Sequence, residues 1–336
     1  MKRIAINGLG RIGRLLMRCY MDTQPDDIEI VGLNFRTTSE EMAYLIKYDS
    51  IHRKADFSVE PAGEDALLFN GKSIPVSHES DPENLPWKEL GVDVALDCTG
   101  VFTKREKAMS HIRAGAKKVL LSSPSSDADI TVVLGVNEKK YDPKKHIIVS
   151  NASCTTNSLA PVTKVLNDAF GIDSLIGTTI HAYTSTQMLM DSARRGGRKA
   201  RAGALSLIPT TTGAAKAMIP LFPELEGRMD LIAVRVPVPD GSLTDITVNL
   251  KKDVTVESVN AALKKAAEGE LKGILEYNDE GIVSSDVIGN SHSGIVDAPS
   301  TKVLLNRIAK VMIWYDNEYG YSMRMLDMAR YMAGME

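Results

Sequence analysis

The sequence predicts an α/β protein in which a doubly wound parallel-sheet domain is followed by an α+β domain with a mixed or antiparallel sheet. Short apolar runs alternate with helical patterns over about the first 125 residues, whereas longer strand-like runs dominate after residue 151. The length of 336 residues also exceeds what one compact core usually holds, which favours two domains. We predict a first domain at residues 1–152, joined by a C-terminal helix at 318–336, and a second domain at 153–317.

In the first domain, apolar runs predict strands at residues 3–7, 28–34, 93–98, 118–122 and 146–150. Helical patterns lie between them at 11–21 and 104–114, and a further helix begins at about Thr155. Strands that alternate with helices through short connections are typical of a parallel sheet with right-handed crossovers. This part of the chain is therefore predicted to be doubly wound.

In the second domain, alternating patterns predict longer strands at residues 174–183, 230–238, 242–251 and 302–314. Helices are predicted at 210–219 and 256–268, and a last helix at 318–335. Longer strands with the helices set to one side are typical of an α+β domain.

Composition and charge exclude several classes of protein. The net charge is −3, from 40 basic and 43 acidic residues, so no overall basic field predicts a dedicated nucleic-acid partner. No apolar run reaches the roughly 18–20 residues that span a bilayer. The three cysteines are far apart and form no CxxC pair, so we expect neither a disulfide framework nor a metal site. These features predict a cytoplasmic protein with no metal.

A GxGxxG motif formed by Gly8, Gly10 and Gly13 lies between the first strand and the first helix. Glycines in this position permit a tight turn and a close approach of the backbone to a pyrophosphate at the helix N-terminus. The strand–turn–helix context favours a Rossmann-type dinucleotide-binding domain over a glycine-rich turn with no ligand.

The end of the second strand bears on which dinucleotide is bound. NAD-binding domains usually carry an acidic residue there for the adenosine ribose, but this strand ends at Asn34 and continues with Phe35, Arg36 and Thr37. Arg36 could pair with a 2′-phosphate. We therefore predict NADP as the preferred cofactor, with NAD possible. A solvated Arg36, with NAD held by other contacts, is the alternative.

A candidate nucleophile, Cys154, lies where a predicted strand passes into a helix. A helix N-terminus favours a thiolate and offers N–H groups to a developing oxyanion. The best candidate for its base is His181, at the end of a predicted strand. On these grounds alone, an inert packing role is the commoner one for a single cysteine such as Cys154, and His181 could be a satisfied core histidine.

Five segments together resemble the phosphorylating glyceraldehyde-3-phosphate dehydrogenase family, and the resemblance extends over essentially the whole chain. They are SNASCTTN at 150–157, HAYTSTQ at 181–187, IPTTTGAAKA at 208–217, RVPVPDGSLTD at 235–245 and WYDNEYGYS at 314–322. The resemblance implies a reversible oxidation of D-glyceraldehyde 3-phosphate, with inorganic phosphate, to 1,3-bisphosphoglycerate. Cys154 would form a hemithioacetal and then a thioester, and His181 would move the proton.

The resemblance also implies two phosphate sites and a set of dinucleotide contacts. The substrate phosphate would be held by Thr184, Thr186 and Arg235, and the attacking phosphate by Ser153, Thr155, Thr212 and Gly213. The dinucleotide contacts that the resemblance implies are Asn7, Arg11, Ile12, Thr99, Ser122, Asn317 and Tyr321. The glycine motif, the end of the second strand and the loop after residue 190 add Gly8, Gly10, Gly13, Asn34, Arg36, Thr37 and Ser192 as candidates of their own.

The chain departs from the family pattern at the loop of residues 191–201. Ser192 and Ala193 are small where NAD-using members have bulkier residues, which agrees with the interpretation of Arg36. The loop is one residue short and very basic, and the sequence leaves open which of its cations faces a phosphate. These cations are Arg194, Arg195, Arg198, Lys199 and Arg201. The resemblance further implies a homo-oligomer, specifically a tetramer with this loop at its centre.

Two other functions remain open. Erythrose-4-phosphate dehydrogenase shares the fold, the cysteine and the histidine, but the complete second phosphate pocket favours the three-carbon substrate. A non-catalytic role, such as binding nucleotide, RNA or a partner protein, belongs to a different class, and the presence of both Cys154 and His181 argues against it.

Overall fold

The computed structural model describes residues 1–193 and 196–335, which form two compact units. The first unit contains residues 1–132, 137–153 and the chain from 322 onwards, and the second contains 133–136 and 154–321. The predicted fold class is confirmed: the first unit combines helices with a largely parallel sheet, and the second has a mixed sheet.

The first unit contains eleven of the described strands and three helices that lie wholly within it. The strands are β1 (Lys2–Asn7), β2 (Ile28–Asn34), β3 (Tyr48–Asp49), β4 (Arg53–Lys54), β5 (Val59–Pro61), β6 (Ala66–Phe69), β7 (Lys72–Ser77), β8 (Val94–Asp97), β9 (Lys118–Leu121), β10 (Ile130–Thr131) and β11 (Ile148–Ser150). The helices are α1 (Arg11–Thr23), α2 (Ser39–Lys47) and α3 (Arg105–Arg113), and short 3₁₀ helices cover Pro82–Asn84 and Glu138–Lys140.

The main sheet of the first unit has the order β7-β2-β1-β8-β9-β11-β10, and every neighbouring pair in it is parallel. β6 and β5 extend the sheet beyond β7 as antiparallel strands. The strand order reverses between β1 and β8, and in doubly wound sheets ligands bind outside the carboxyl ends of the strands at such a reversal. The loops that follow β1 and β8 are thus placed for a ligand.

The local sequence explains where the helices of this unit begin. α2 is capped by Thr38, whose hydroxyl accepts the backbone N–H of Glu41 at 3.2 Å. By contrast, α1 begins after Gly10, which has no side chain to cap it. Because the first N–H groups of a helix have no partner within it, those of α1 are left to donate to something else.

The second unit is built on a seven-stranded mixed sheet of order β13-β14-β12-β15-β18-β17-β16. Its strands are β12 (Ile172–Ala182), β13 (Ile208–Thr211), β14 (Met229–Val236), β15 (Ser242–Leu250), β16 (Leu275–Asn278), β17 (Gly294–Leu304) and β18 (Ile308–Tyr315). Its helices are α4 (Cys154–Phe170), α5 (Ala214–Met218) and α6 (Val256–Glu268), with 3₁₀ helices at Gly197–Ala200, Pro223–Leu225 and Ser284–Val287. The last helix, α7 (Tyr319–Gly334), begins in this unit and ends in the first one.

Two predicted elements of the second unit are wrong. The single strand predicted at 302–314 is a hairpin of β17 and β18, because Leu305 and Asn306 adopt left-handed φ angles of 50° and 57° and reverse the chain. The helix predicted at 210–219 is shorter, since residues up to Thr211 belong to β13 and only Ala214–Met218 are helical. β-branched threonines favour the strand at that point.

Within the described residues, none of the helices combines the length and the apolar character that crossing a membrane requires.

Candidate active site

The three glycines of the motif have distinct surroundings in the first unit. A side chain at Gly8, whose φ is +92°, would approach the backbone nitrogen of Thr99 to 2.9 Å, and one at Gly13 would collide with the carbonyl oxygen of Gly8. Those two glycines therefore let the helix and the loop after β8 pack closely. A side chain at Gly10 would meet no atom within 4 Å. This open space beside the uncapped start of α1 fits a pyrophosphate.

The carboxyl ends of four parallel strands bring the predicted dinucleotide contacts of the first unit together. Asn7 donates to Asp97 at 3.0 Å, and the Asn34 amide donates to the Asn7 side chain at 2.7 Å. Asp97 in turn accepts the Thr99 hydroxyl at 2.8 Å. Ser122 joins the same edge, because its backbone N–H donates to the Asp97 carbonyl at 2.9 Å.

Several of these side chains have their hydrogen bonds committed within the protein. Both groups of the Asn34 amide are used, by Asn7 and by the backbone of Glu79. The Arg11 guanidinium is paired with Asp49, so Arg11, like Ile12, would contact a dinucleotide through its backbone. The Thr37 hydroxyl donates to Glu41. Arg36 is exposed and makes no ion pair with any described residue.

In the second unit, Cys154 is the first residue of α4 and His181 lies near the end of β12. The Cys154 sulfur lies 3.5 Å from His181 Nε2, which is within reach of a thiol–imidazole hydrogen bond. The strand fixes the histidine and the helix start fixes the sulfur. The structure thus brings together the two residues that the sequence indicated for acid–base and nucleophilic chemistry.

Burial disfavours the charged form of each of these two groups. Burial, with the nearby Arg235 guanidinium acting in the same direction, lowers the pKa of His181 to about 3, whereas the Ala182 carbonyl opposes the shift. Burial also raises the pKa of the Cys154 thiol, although Arg235 and the N–H and hydroxyl of Thr155 act in the opposite direction. The resting pair is therefore a neutral thiol beside a neutral imidazole. Proton transfer between them would create adjacent opposite charges that stabilise each other.

Arg235 is placed beside this pair by strand register, since β12 and β14 are parallel and His181 lies opposite Arg235. Its Nη1 atom lies 2.6 Å from His181 Nδ1 and 3.1 Å from the carbonyl oxygen of Ala182. Arg235 pairs with no carboxylate among the described residues, and its buried Nε has no hydrogen-bond partner there. A partly buried guanidinium without a counter-ion is suited to an anion.

Tyr315 is a site residue to which the sequence gave no role. Its hydroxyl lies 3.0 Å from the Thr155 hydroxyl and 2.7 Å from that of Thr179, and its ring meets the His181 ring edge to face at 5.9 Å. Burial raises the pKa of Tyr315 to about 12, so it stays a neutral hydrogen-bonding group. Tyr315 therefore ties the start of α4 to β12 on the side of the sulfur and the imidazole.

The other threonines predicted to bind phosphate lie in two loops of the same unit. The Thr184 and Thr186 hydroxyls are 2.8 Å apart, just after β12. The Thr212 hydroxyl accepts the N–H of Ala214, the first residue of α5, at 3.1 Å, and Gly213 lies between the two. A cleft of about 800 Å³ is lined by Thr210, Thr211, Thr212, Gly213, Arg198 and Lys216, together with residues of β14.

The basic loop is described except for Arg194 and Arg195, which lie outside the described residues. Of its remaining cations, Arg198 lines the cleft with Thr212 and Gly213, while Arg201 pairs with Asp191 at 2.7 Å. Ser192 closes the loop through its backbone N–H, which donates to the Ala200 carbonyl at 2.8 Å. Arg198 is thus the described loop arginine that lines the cleft containing Thr212 and Gly213.

Asn317 and Tyr321 are both buried near the junction of β18 and α7. The Asn317 side-chain oxygen accepts the Ser242 hydroxyl at 2.5 Å, and that hydroxyl in turn accepts the Ala182 N–H at 3.1 Å. This fixes the orientation of the Asn317 amide and directs its NH₂ group away from Ser242. Ser242 is a second positioning residue that the sequence did not indicate.

Comparisons with known proteins agree on one family. The profile described as glyceraldehyde 3-phosphate dehydrogenase, NAD binding domain, matches residues 2–105, and the profile of the C-terminal domain of that family matches 153–317. The chain is 52% identical over 331 residues to the glyceraldehyde-3-phosphate dehydrogenase of Geobacillus stearothermophilus, covering 98% of each chain. It is 52% identical over 327 residues to that of Thermotoga maritima, covering 97% of this chain and 98% of the relative. It is 49% identical over 331 residues to glyceraldehyde-3-phosphate dehydrogenase 2 of Bacillus subtilis, covering 98% and 96%.

Proposed function

The chain belongs to the glyceraldehyde-3-phosphate dehydrogenase family, and from this premise we propose that it oxidises D-glyceraldehyde 3-phosphate with inorganic phosphate to 1,3-bisphosphoglycerate, reversibly. The observation that carries the proposal is the sulfur of Cys154 at 3.5 Å from His181 Nε2, at the start of a helix. Full-length similarity to named relatives gives the substrate class. The cysteine–histidine pair gives the chemistry.

In the first step the Cys154 sulfur attacks the aldehyde carbon while its proton passes to His181 Nε2. This produces a hemithioacetal and an imidazolium. The oxyanion that develops needs donors, and backbone N–H groups of the first turn of α4, which Cys154 begins, are the groups nearest in the chain to the reacting sulfur. The imidazolium can then return its proton to that oxygen. Tyr315 and Thr155 keep the helix start in place throughout.

The bound dinucleotide supplies the hydride acceptor that turns the hemithioacetal into a thioester. His181 takes the hydroxyl proton as the hydride leaves. A thioester keeps the energy of the oxidation, so exclusion of water matters more here than in a hydrolase. Inorganic phosphate then attacks the thioester carbon, and the sulfur leaves as the thiolate.

Cationic and hydroxyl groups of the second unit support two phosphate sites. Arg235, which has no carboxylate partner among the described residues, supports a site for the substrate phosphate together with Thr184 and Thr186. Thr212 and Gly213, in a cleft that also holds Arg198 and Lys216, support a site for the attacking phosphate. Ser153 and Thr155 complete that second set in the proposal.

Cofactor reduction by purified, reduced protein tests the proposed function. With glyceraldehyde 3-phosphate we expect turnover that requires inorganic phosphate and that the Cys154→Ser variant lacks. A Cys19→Ser variant is the matched control, because Cys19 is fully buried in α1 of the other unit. Faster turnover of erythrose 4-phosphate than of glyceraldehyde 3-phosphate would change the assigned substrate but leave the assigned cysteine–histidine chemistry in place. No turnover of either aldehyde would contradict the proposal and favour a binding role.

We propose NADP as the preferred dinucleotide, with NAD as a second substrate, and Arg36 as the residue that holds the 2′-phosphate. The exposed, unpaired guanidinium of Arg36 after β2 supports this, whereas the commitment of Thr37 to Glu41 leaves Thr37 a smaller part than the sequence suggested. Loss of one charge-assisted contact in Arg36→Ala should lower kcat/KM for NADP by about 10–100-fold and leave that for NAD unchanged. Lys107→Ala removes the same charge from exposed α3 and should change neither value. A wild-type preference for NAD would contradict the assignment.

We propose that the protein is a homo-oligomer, and specifically a tetramer. Several large apolar side chains of the second unit support this, because they are exposed in the single chain: Leu189 (81%), Leu205 (78%), Met190 (70%), Leu207 (69%), Ile176 (65%) and Ile232 (52%). Exposed apolar surface of this kind usually marks an interface. Light scattering should give four chains per particle, and a monomer would contradict the proposal.

We also propose a reducing, cytoplasmic setting. The three cysteines, Cys19, Cys98 and Cys154, are all free thiols, and the proposed chemistry requires Cys154 to remain one. Fractionation of the source cells, with activity followed in each fraction, tests this assignment. Activity confined to an exported fraction would contradict it.

A further inference from the structure

His181 Nδ1 lies between one hydrogen-bond acceptor and one hydrogen-bond donor. The Ala182 carbonyl oxygen is 2.7 Å away and can only accept, and Arg235 Nη1 is 2.6 Å away and can only donate. Neutral imidazole carries one proton, either on Nδ1 or on Nε2. Nδ1 can therefore donate to Ala182 or accept from Arg235, but it cannot do both.

The choice made at Nδ1 decides what Nε2 can do. If Nδ1 accepts from Arg235, the proton is on Nε2 and points at the sulfur 3.5 Å away, so His181 cannot take the thiol proton. If Nδ1 donates to Ala182, Nε2 presents a lone pair to the same sulfur and His181 is a competent base. In that second state Arg235 faces an N–H group at 2.6 Å, which places two donors against each other. The arginine must therefore move away from Nδ1 for the base to form.

A bound anion would favour movement of the Arg235 guanidinium away from His181 Nδ1. Its Nη1 is shared between His181 Nδ1 and the Ala182 carbonyl. Among the described residues, its buried Nε has no hydrogen-bond partner and no carboxylate pairs with it. An anion would give the guanidinium two or more strong acceptors in place of one imidazole nitrogen. Neutralising Arg235 would also remove a repulsion that opposes the imidazolium formed during attack.

We propose that Arg235 couples recognition of the substrate phosphate to activation of Cys154: without an anion it holds His181 in the unproductive tautomer, and the phosphate draws it off Nδ1 and frees Nε2 to act as the base. The change of tautomer moves one proton. Nε2 loses a proton to water, and Nδ1 gains one from water and donates it to the Ala182 carbonyl. Arg235 is a positioning residue in this step, and the inference rests on the proposed function for its anion.

The kinetic test compares an aldehyde that carries the phosphate with one that does not. Arg235→Met should lower kcat/KM for glyceraldehyde 3-phosphate by about 100-fold through the lost phosphate contact. The same variant should raise kcat for unphosphorylated glyceraldehyde by about tenfold, the equilibrium factor of one charge-assisted hydrogen bond. Arg228→Met, which removes an exposed arginine paired with Asp173, should leave both values unchanged. An arginine that only binds phosphate would leave glyceraldehyde kcat unaltered in Arg235→Met, and that result would overturn the proposal.

A spectroscopic test needs neither turnover nor cofactor, so it remains informative if the proposed function fails. In ¹⁵N-histidine-labelled protein the signals of His181 are identified by their loss in His181→Asn, and their shifts tell a protonated ring nitrogen from an unprotonated one. We expect Nε2–H in the wild-type protein alone, Nδ1–H after saturation with glycerol 3-phosphate, and no change with glycerol. Arg235→Met should show Nδ1–H without any ligand. Nδ1–H in the wild-type protein alone, or a tautomer that glycerol 3-phosphate leaves unchanged, would overturn the proposal while leaving phosphate-dependent turnover intact.

Discussion

The substitution Gly10→Ala separates cofactor binding from folding. Gly10 has an ordinary extended conformation, with φ −71° and ψ −159°, and an added Cβ would meet no protein atom within 4 Å. Alanine should therefore fit without strain, and its smaller unfolded-state entropy is offset by its weaker preference for the N-cap position, so the free energy of unfolding should stay within about 1 kcal/mol of wild type. The same Cβ would project into the space where the pyrophosphate accepts the first N–H groups of α1.

Loss of two such charge-assisted hydrogen bonds, each worth about 1.5 kcal/mol or more, corresponds to about a 100-fold rise in the Kd of the dinucleotide. Calorimetric titration with NAD and NADP measures this Kd, and thermal unfolding measures stability. Gly334→Ala, at the end of α7, is a control with equally open space, and Gly13→Ala should unfold at a much lower temperature because its Cβ would collide with Gly8. Binding within about threefold of wild type in Gly10→Ala would refute the placement of the pyrophosphate.

Three further predictions concern stability and the nucleophile. Burial opposes ionisation of Asp49, but hydrogen bonds from Arg11 and the nearby backbone hold the pKa of this carboxyl well below the usual range. The contribution of Asp49 to the free energy of unfolding is therefore complete above about pH 4 and is lost as the pH falls. Asp49→Asn should cost about 2 kcal/mol at neutral pH and progressively less in acid, and a difference between variant and wild type that does not change with pH in denaturant titrations would contradict this. Leu305→Gly should raise the free energy of unfolding by about 1 kcal/mol, because Leu305 has a left-handed φ of +50° and is 86% exposed. Leu304→Gly, in β17, should lower it. Thermal unfolding that ranks the two variants in the opposite order would argue against backbone strain at the turn. Cys154→Ser should lower kcat by on the order of 10³-fold or more and leave the Kd of the dinucleotide unchanged, and a residual kcat within tenfold of wild type would exclude the sulfur as nucleophile.

Elements with strong local signals were predictable from the sequence. The strand at residues 28–34 has the predicted bounds, and so does the helix at 256–268, which Thr255 and Ser258 begin with a capping box. The region between β2 and β8 was not predicted, because its strands β3 to β7 are two to six residues long and α2 has nine residues. Such short elements depend on their neighbours in space more than on their own periodicity.

The candidate site divides in the same way. Cys154 and His181 could be predicted because each lies within a recognisable motif, SNASCTTN at 150–157 and HAYTSTQ at 181–187. Cys154 also begins α4, and His181 lies near the end of β12. Tyr315 could not, since its partners Thr155 and Thr179 are 160 and 136 residues away along the chain. The position of Arg235 against Nδ1 likewise depends on the register of two parallel strands, which no local pattern specifies.

The most direct test of the central claim is a single-turnover experiment in which inorganic phosphate is withheld. If Cys154 carries the acyl group as a thioester, mixing the protein with cofactor and glyceraldehyde 3-phosphate should give a rapid burst of one reduced cofactor per chain, followed by a near halt. Phosphate added afterwards should start steady turnover. Continuous turnover without phosphate would contradict the account. So would phosphate-dependent turnover with no burst and with no acyl group from the substrate found on Cys154.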